Sequence, residues 1–146
     1  MQFHLNGYRT GDPSISERYR VDSDPREADV LIVGCGPAGL TLAAQLSAFP
    51  QITTRIVDLK SGPLKIGQAD GIACRSMEMF AAFGFADKVA KEGYQVNEVA
   101  FWRPKGTSAI VRADRIQDVQ DDLSEMPHMI LNQARVHDFL LDVMHT

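Results

Sequence analysis

Cysteine is scarce in this sequence, and basic residues are not in excess. The two cysteines among 146 residues, Cys35 and Cys74, are too few for a disulfide framework and lack the spacing of zinc ligands. Lys and Arg number 15 against 19 Asp and Glu, so the net charge of −4 gives no general attraction to nucleic acid or to an anionic membrane. We therefore expect a reduced, cytoplasmic protein with no metal centre and no nucleic-acid partner.

Charged side chains are absent from residues 30–54, a stretch long enough to cross a bilayer. Glycine, proline and glutamine interrupt this stretch, however, and charge returns immediately on both sides. A buried strand, a glycine turn and a packed helix explain the composition better than a membrane span. We expect no association with a membrane.

Hydrophobic residues make up 45% of the chain and charged residues 23%, which is typical of a globular domain and excludes a disordered chain. Residues 1–27 have no sustained period and contain several glycines and prolines, so they predict an extended N-terminal arm. Residues 28–146 predict one domain, and its last helix reaches Thr146 without a stop signal. We expect this domain to continue beyond that residue.

A βαβ unit opens the patterned part of the chain. Residues 28–33 are a short apolar run, which predicts a buried parallel strand. Residues 38–48 are rich in Ala and Leu and predict a helix, and residues 52–59 predict a second strand rich in β-branched side chains. The lengths suit a right-handed crossover. The predicted fold class is therefore α/β, with a Rossmann-like unit and a parallel sheet.

The remaining patterns predict further elements with less regular spacing. They are helices over residues 72–83 and 85–91, strands over 95–102 and 108–113 joined across 104–106, an acidic surface loop over 118–125, and a helix capped by Asn132. Apolar side chains recur at helical spacing in the last of these, which indicates one buried face.

The sequence Gly34-Cys35-Gly36-Pro37-Ala38-Gly39 lies between the first predicted strand and its helix. In such a motif the first glycine permits a tight turn, the second lets backbone approach a pyrophosphate, and the third lets the helix pack on the strand. Asp58 follows at the end of the second strand, 19 residues after Gly39, where an acid can bind a ribose 2′-hydroxyl. This arrangement predicts a dinucleotide site for FAD or NAD and disfavours NADP there. A structural glycine turn beside a surface aspartate is the alternative.

Three stretches of the sequence resemble one enzyme family. VLIVGCGPAGLTLAAQL resembles the opening of the FAD-dependent aromatic hydroxylases, the class A flavoprotein monooxygenases. GQADGIACRSMEMF and MILNQARVHDFLL resemble stretches of the branch that hydroxylates phenol and 3-hydroxybenzoate. The resemblance implies that the chain is the N-terminal portion of a longer flavoprotein and that its later strands begin a substrate-side β region. A homodimer is a further expectation from the family.

The resemblance also implies the reaction. In this family NADPH reduces a bound FAD, the reduced flavin takes up O₂, and a flavin hydroperoxide hydroxylates a phenolic ring. The expected substrate is 3-hydroxybenzoate or phenol. Two alternatives stay open, an NAD-dependent Rossmann dehydrogenase and a non-enzymatic nucleotide-binding fragment. The GQADGIACR loop favours the hydroxylase, because this loop would have no function in an NAD-dependent dehydrogenase.

Cofactor contacts follow by carrying the family pattern onto matching residues. The glycine motif from Gly34 to Gly39, with Pro37 and Ala38, and Asp58 match the ADP half of the FAD site. Arg75 matches a position near the FAD phosphates, although an ion pair with Glu78 is the alternative. Gln133 resembles a glutamine near the ribityl chain of the flavin, although it could simply hydrogen-bond backbone at a helix start.

Two residues are candidates for catalysis by the same resemblance. Asp70 matches an aspartate close to the flavin and the substrate hydroxyl, and His128 is expected in the same pocket. A carboxylate or imidazole there would deprotonate and orient a phenol. Asp70 before a glycine is also an ordinary turn residue, and His128 could be a structural histidine. His4, His137 and His145 are expected to be structural or exposed.

Overall fold

The computed structural model describes residues 27–62, 64–65 and 67–145, so the arm predicted over residues 1–27 lies outside the described residues except for Glu27. The elements in chain order are β1 (Val30–Val33), α1 (Pro37–Leu46), β2 (Thr54–Val57), β3 (Gly71–Ile72), α2 (Cys74–Ala82), α3 (Ala86–Glu92), β4 (Tyr94–Val96), β5 (Glu98–Lys105), β6 (Ala109–Gln117), β7 (His128–Ile130) and α4 (Gln133–Val143). The chain divides into two compact units. One contains residues 71–131, which we call the antiparallel unit, and the other contains residues 27–70 and 132–145, which we call the parallel-sheet unit.

The parallel-sheet unit contains the predicted βαβ arrangement. β1 and β2 pair in parallel, from Val30 opposite Thr54 to Val33 opposite Val57, and α1 connects them. This confirms the α/β class and the parallel sheet. α1 ends at Leu46, two residues before the predicted end, and both strands are shorter than predicted.

One face of β1 packs into the core of this unit, and the other does not. Ile32 is buried, whereas Leu31 is 60% and Val33 80% exposed. Side chains alternate between the two faces of a strand, so these exposures mark one covered and one uncovered face. The prediction of a buried strand is therefore confirmed for Ile32 and wrong for Leu31 and Val33.

α4 closes the core of the parallel-sheet unit by packing against α1. The side chain of Asn132 caps α4 as predicted, accepting a hydrogen bond from the backbone N–H of Ala134 at 2.9 Å. Besides Ile32 of β1, the buried apolar side chains of this core come from the two helices, and they are Leu40, Ala43, Ala44, Ala134, Val136, Phe139 and Leu140. A buried ion pair between Arg135 and Asp138 lies on α4 among them.

The antiparallel unit is built on a three-stranded sheet in the order β3, β7, β4. Its core includes Met77, Phe80, Phe85, Val89 and Met129, all almost fully buried. The sequence patterns do not predict β3 or β7, because strands of two and three residues are too short to show a period. The two predicted helices are present as α2 and α3.

A two-stranded ribbon of β5 and β6 completes this unit. The predicted connection across residues 104–106 is wrong, because β5 continues through Pro104 to Lys105 and the turn begins at Gly106, whose φ is +66°. Proline is tolerated here because, among the described strands, β5 pairs only with β6. No helix among the described residues is long and apolar enough to cross a membrane.

Candidate dinucleotide site

The glycine motif forms the turn between β1 and α1, and each of its outer glycines has a steric reason. Gly34 has a φ of +107°, a conformation that side-chain-bearing residues rarely adopt, and its N–H donates to the carbonyl of Val57 at 2.7 Å. A Cβ on Gly39 would lie 3.2 Å from Cγ2 of Ile32 and closer still to the carbonyl oxygen of Gly34. A side chain at position 39 would therefore push α1 away from β1.

Gly36, the middle glycine of the motif, differs from the outer two because the space that a side chain would occupy is open. A Cβ built on Gly36 meets no atom within 4 Å. Gly36 is also the N-cap of α1, and no side chain caps the helix there. Pro37 at the first helical position carries no N–H, and this costs the helix nothing because an N–H at that position has no intrahelical acceptor. The N–H groups of the first turn and the positive end of the helix dipole are thus available to an anion.

Asp58 fixes the other side of this turn. Its Oδ2 accepts a hydrogen bond from the backbone N–H of Cys35 at 2.6 Å, and its Oδ1 accepts one from the N–H of Lys60 at 2.8 Å. These N–H groups, that of Lys60 first and that of Cys35 second, hold the pKa of Asp58 below its ordinary value of 3.8. The ionised carboxylate keeps further lone pairs on both oxygens, which can accept hydrogen bonds from hydroxyl groups.

These groups line a cleft of about 430 Å³ within the parallel-sheet unit. Its polar lining includes Cys35, Gly36, Asp58, Lys60, Gln133 and His137. A volume of this size lies within the range of about 300–1,000 Å³ that is usual for small-molecule and cofactor sites. The structure therefore brings the glycine turn, Asp58 and Gln133 together at one cleft, and their contacts with FAD stay predictions.

Gln133 contributes to the cleft and also holds a neighbouring loop. Its Oε1 accepts a hydrogen bond from the backbone N–H of Gln68 at 2.9 Å, which is the backbone contact considered as an alternative in the sequence analysis. A Cβ on Gly67 would approach the backbone nitrogen of Gln133 to 2.9 Å, so glycine permits this close contact. With its oxygen engaged, the side-chain amide has its two N–H donors left for other partners.

His137 lines the cleft, although the sequence predicts this histidine to be structural or exposed. It lies four residues after Gln133 on α4, and Leu141, four residues further, lines the cleft as well. This spacing places all three on one helix face and could have identified His137 beforehand. Burial lowers the pKa of His137 below its ordinary value of 6.5, and the Lys60 ammonium lowers it further, against an opposing effect of Asp58.

Arg75 lies in the antiparallel unit, and its described contacts are to protein groups. Its Nη1 donates to both carboxylate oxygens of Glu78, at 2.7 and 2.8 Å, and its Nη2 donates to the carbonyl of Leu123 at 3.2 Å. Glu78 also accepts a hydrogen bond from Ser124 Oγ at 2.6 Å. The ion pair foreseen as the alternative is present, and the proposed contact with FAD phosphates stays a prediction.

His128 has a carboxylate partner that the sequence analysis missed. Its Nδ1 lies 2.8 Å from Oδ2 of Asp118, and both side chains are partly buried. Asp118 was predicted to belong to a solvated acidic loop, and that interpretation is wrong for this residue because its side chain is only 15% exposed. No sequence pattern predicts a contact such as that of His128 with Asp118, because the two residues meet through a turn.

Asp70 is exposed, directly precedes β3, and belongs to the parallel-sheet unit.

The family of the chain follows from a comparison with family models. A model described as "FAD binding domain" matches residues 27–145, which is most of the sequence. The chain belongs to the family of FAD-binding domains. This confirms the resemblance drawn from the sequence motifs, and it agrees with the cleft at the glycine turn.

Relatives of this FAD-binding domain include named monooxygenases. It is 58% identical over 151 residues to a 3-hydroxybenzoate 4-monooxygenase of Comamonas testosteroni, covering 99% of this chain and 24% of the relative. It is 33% identical over 109 residues to the phenol 2-monooxygenase fsqG of Aspergillus fumigatus, covering 75% of this chain and 18% of the relative. The chain thus spans about a quarter or less of the curated relatives it matches.

A solved structure extends the comparison to the fold. The flavin-dependent monooxygenase PieE, determined in complex with FAD and substrate, matches 84% of this chain and 23% of its own chain at 26% sequence identity, with a TM-score of 0.65. The arrangement of strands and helices described above is therefore similar to part of a known flavoprotein.

Proposed function

We propose that this chain is the N-terminal part of the FAD-binding domain of a monooxygenase that hydroxylates a phenolic substrate with O₂. The observation that carries the proposal is the Asp58 carboxylate bound to the Cys35 N–H of the glycine turn, in a chain of the FAD-binding family. That bond puts the acid suited to a ribose beside the helix terminus suited to a pyrophosphate.

The cleft fits the ADP half of FAD by the chemistry of its groups. The uncapped N-terminus of α1 would hold the pyrophosphate, and Gly36 leaves room for its approach. Asp58 would accept hydrogen bonds from the hydroxyls of the adenosine ribose. The side-chain oxygen of Gln133 accepts the hydrogen bond from Gln68, which leaves the N–H donors of its amide for the ribityl chain. When bound, FAD reduced by NADPH supplies the activated oxygen that is transferred to the ring.

Asp70 and His128 are the proposed groups for substrate chemistry. Removing or sharing the phenolic proton raises the electron density of the ring, which favours attack by an electrophilic oxygen, and a carboxylate or imidazole can accept that proton. Asp118 bonded to Nδ1 of His128 would hold the tautomer that carries its proton on Nδ1. Nε2 of His128 is then an acceptor that can orient the substrate hydroxyl.

The substrate class rests on likeness to relatives rather than on a described substrate pocket. The name of the Comamonas relative favours 3-hydroxybenzoate, and that of the Aspergillus relative allows plain phenol. Coupling of NADPH oxidation to product formation, measured with both phenols, would distinguish them. Tighter coupling with plain phenol would overturn the preference for 3-hydroxybenzoate.

The decisive experiment is a visible absorption spectrum of the full-length protein. We expect a flavin spectrum that changes when 3-hydroxybenzoate is added, because the aromatic ring would bind beside the flavin. A protein that is colourless and stays colourless after incubation with FAD would contradict the proposal. Retention of NAD by that colourless protein would favour a dehydrogenase, and retention of neither would favour a non-enzymatic fragment.

A further inference from the structure

His137 combines burial, a position in the cleft and a nitrogen without a partner. The residue is 4% exposed and its side chain lines the cleft. Among the residues that the structure describes, none forms a hydrogen bond with its Nε2. Buried polar atoms of folded proteins are nearly always hydrogen-bonded, so Nε2 of His137 has a hydrogen-bonding capacity that the described residues leave unused.

The surroundings of His137 indicate what kind of partner would fit this nitrogen. The imidazole lies one helical turn from Gln133 on the same face of α4, and Asp58 and Lys60 line the same cleft. Asp58 already accepts two backbone hydrogen bonds, and Lys60 brings a positive charge. A ligand that fits a carboxylate, an ammonium group and an imidazole together carries both hydroxyl groups and anionic oxygens. The ribose and pyrophosphate of a dinucleotide have these groups.

We propose that His137 is a binding residue for the dinucleotide, with Nε2–H donating a hydrogen bond to an oxygen of its ribose–pyrophosphate section. This inference rests on the proposed function and adds a residue to its site. Nε2 is almost fully covered in the structure, so the imidazole has to turn about its Cβ–Cγ bond for this hydrogen bond to form. The depressed pKa of the imidazole agrees with a neutral donor beside the Lys60 cation.

The test is a titration of FAD into the flavin-free full-length protein, followed by flavin fluorescence. His137→Phe keeps a planar ring of similar size and removes both nitrogens. We expect the Kd for FAD to rise about tenfold, the size of one lost hydrogen bond. The melting temperature of the flavin-free variant should stay level or rise, because no unpaired nitrogen is then buried.

Two further variants sharpen the interpretation. His137→Gln restores a donor on a side chain of similar reach and should recover part of the affinity. His145→Phe changes an exposed histidine just beyond α4 and should bind FAD as the wild type does. A purely structural histidine would give the opposite pattern, with lower stability of the flavin-free H137F variant and unchanged affinity.

The outcomes separate this inference from the proposed function. A wild-type protein that binds no FAD would overturn the proposed function. A wild type that binds FAD, with H137F binding it equally tightly, would overturn only the role of His137. If H137F does not fold, the Nε2 signal of isotope-labelled histidine in the wild type decides by NMR. A shift of that signal on adding FAD supports the role, and an unchanged signal rejects it.

Discussion

The carboxylate of Asp58 is bonded to the backbone N–H of Cys35, 23 residues earlier in the chain, at 2.6 Å. This bond ties the end of β2 to the glycine turn that follows β1. A second bond from the N–H of Lys60 leaves the carboxylate with both oxygens engaged. The group proposed to hold a ribose and the backbone proposed to hold phosphates are thus one rigid arrangement, which lowers the entropy cost of binding both.

Asp58→Asn should weaken FAD binding by about ten- to a hundredfold, because it changes both the charge and the acceptor set. The amide keeps one oxygen acceptor and turns the other position into a donor that faces a backbone N–H. The measurement is the Kd for FAD by fluorescence titration of the full-length protein. Asp87→Asn, an exposed aspartate on α3, is the control and should leave the Kd unchanged. Equal affinities in D58N and wild type would remove Asp58 from the site.

Gly36→Ala and Gly39→Ala should separate binding from folding. A Cβ at Gly36 meets nothing within 4 Å, so Gly36→Ala should melt like the wild type. Its methyl group would obstruct the pyrophosphate, so the variant should bind FAD at least about tenfold more weakly. A Cβ at Gly39 meets the carbonyl of Gly34 and Ile32, which should lower the free energy of unfolding by about 1–3 kcal/mol. Urea denaturation and FAD titration of both variants test this pair. A Gly39→Ala variant as stable as Gly36→Ala would contradict the packing argument.

The sequence allowed the βαβ unit, α4 and the glycine turn to be predicted, because each is carried by local spacing. The proximity of the glycine turn and Asp58 could be predicted from the sequence because the second strand of a parallel pair ends beside the first. The partnership of Asp118 with His128 could not, because it depends on how a turn folds back after β6. His137 had a usable signal, its spacing from Gln133, but that signal means little until one knows that Gln133 faces a cleft.

Folding stability should decrease on acidification through the titration of His137. Its pKa in the folded protein is depressed below the ordinary value of 6.5, first by burial and then by Lys60, so the folded state binds the proton more weakly than the unfolded state. The folding stability that neutral His137 contributes is fully present above pH 6.5, the ordinary pKa that it has in the unfolded chain. This stability is lost as the pH falls from 6.5 towards the lower pKa of His137 in the folded protein. Urea denaturation at a series of pH values should therefore show a decline below pH 6.5 in the wild type that is smaller in His137→Phe. Identical declines in both proteins would refute this assignment.

Asp70→Asn should reduce hydroxylation while FAD stays bound. The carboxamide cannot accept a proton from the phenol, so the rate of product formation should fall by about a hundredfold or more. The measurement is product formation in single turnover, with the flavin spectrum as the check that cofactor is present. Asp142→Asn on α4 is the matched control. A hydroxylation rate equal to that of the wild type would exclude Asp70 from the chemistry.

Asp118→Asn tests whether the partner of His128 positions it for the substrate. Loss of the carboxylate should free the imidazole to adopt either tautomer and a wider range of orientations, because the 2.8 Å contact with Nδ1 is weakened. We expect kcat for hydroxylation to fall by about tenfold, with the Kd for FAD unchanged, because neither Asp118 nor His128 lines the cleft. A structural role alone would instead lower the melting temperature and leave kcat per folded molecule as it was.

Two companion variants complete the Asp118 experiment. Asp118→Glu keeps the charge and should recover part of the rate, since a carboxylate can still meet Nδ1 of His128. Asp121→Asn removes a neighbouring acidic charge whose described partner is Gln117, and it should leave the rate unchanged. If D118N and D121N were equally slow, the loss would reflect the acidic surface as a whole. Only a loss confined to position 118 indicates that one carboxylate orients the histidine, which is what the geometry of the pair requires.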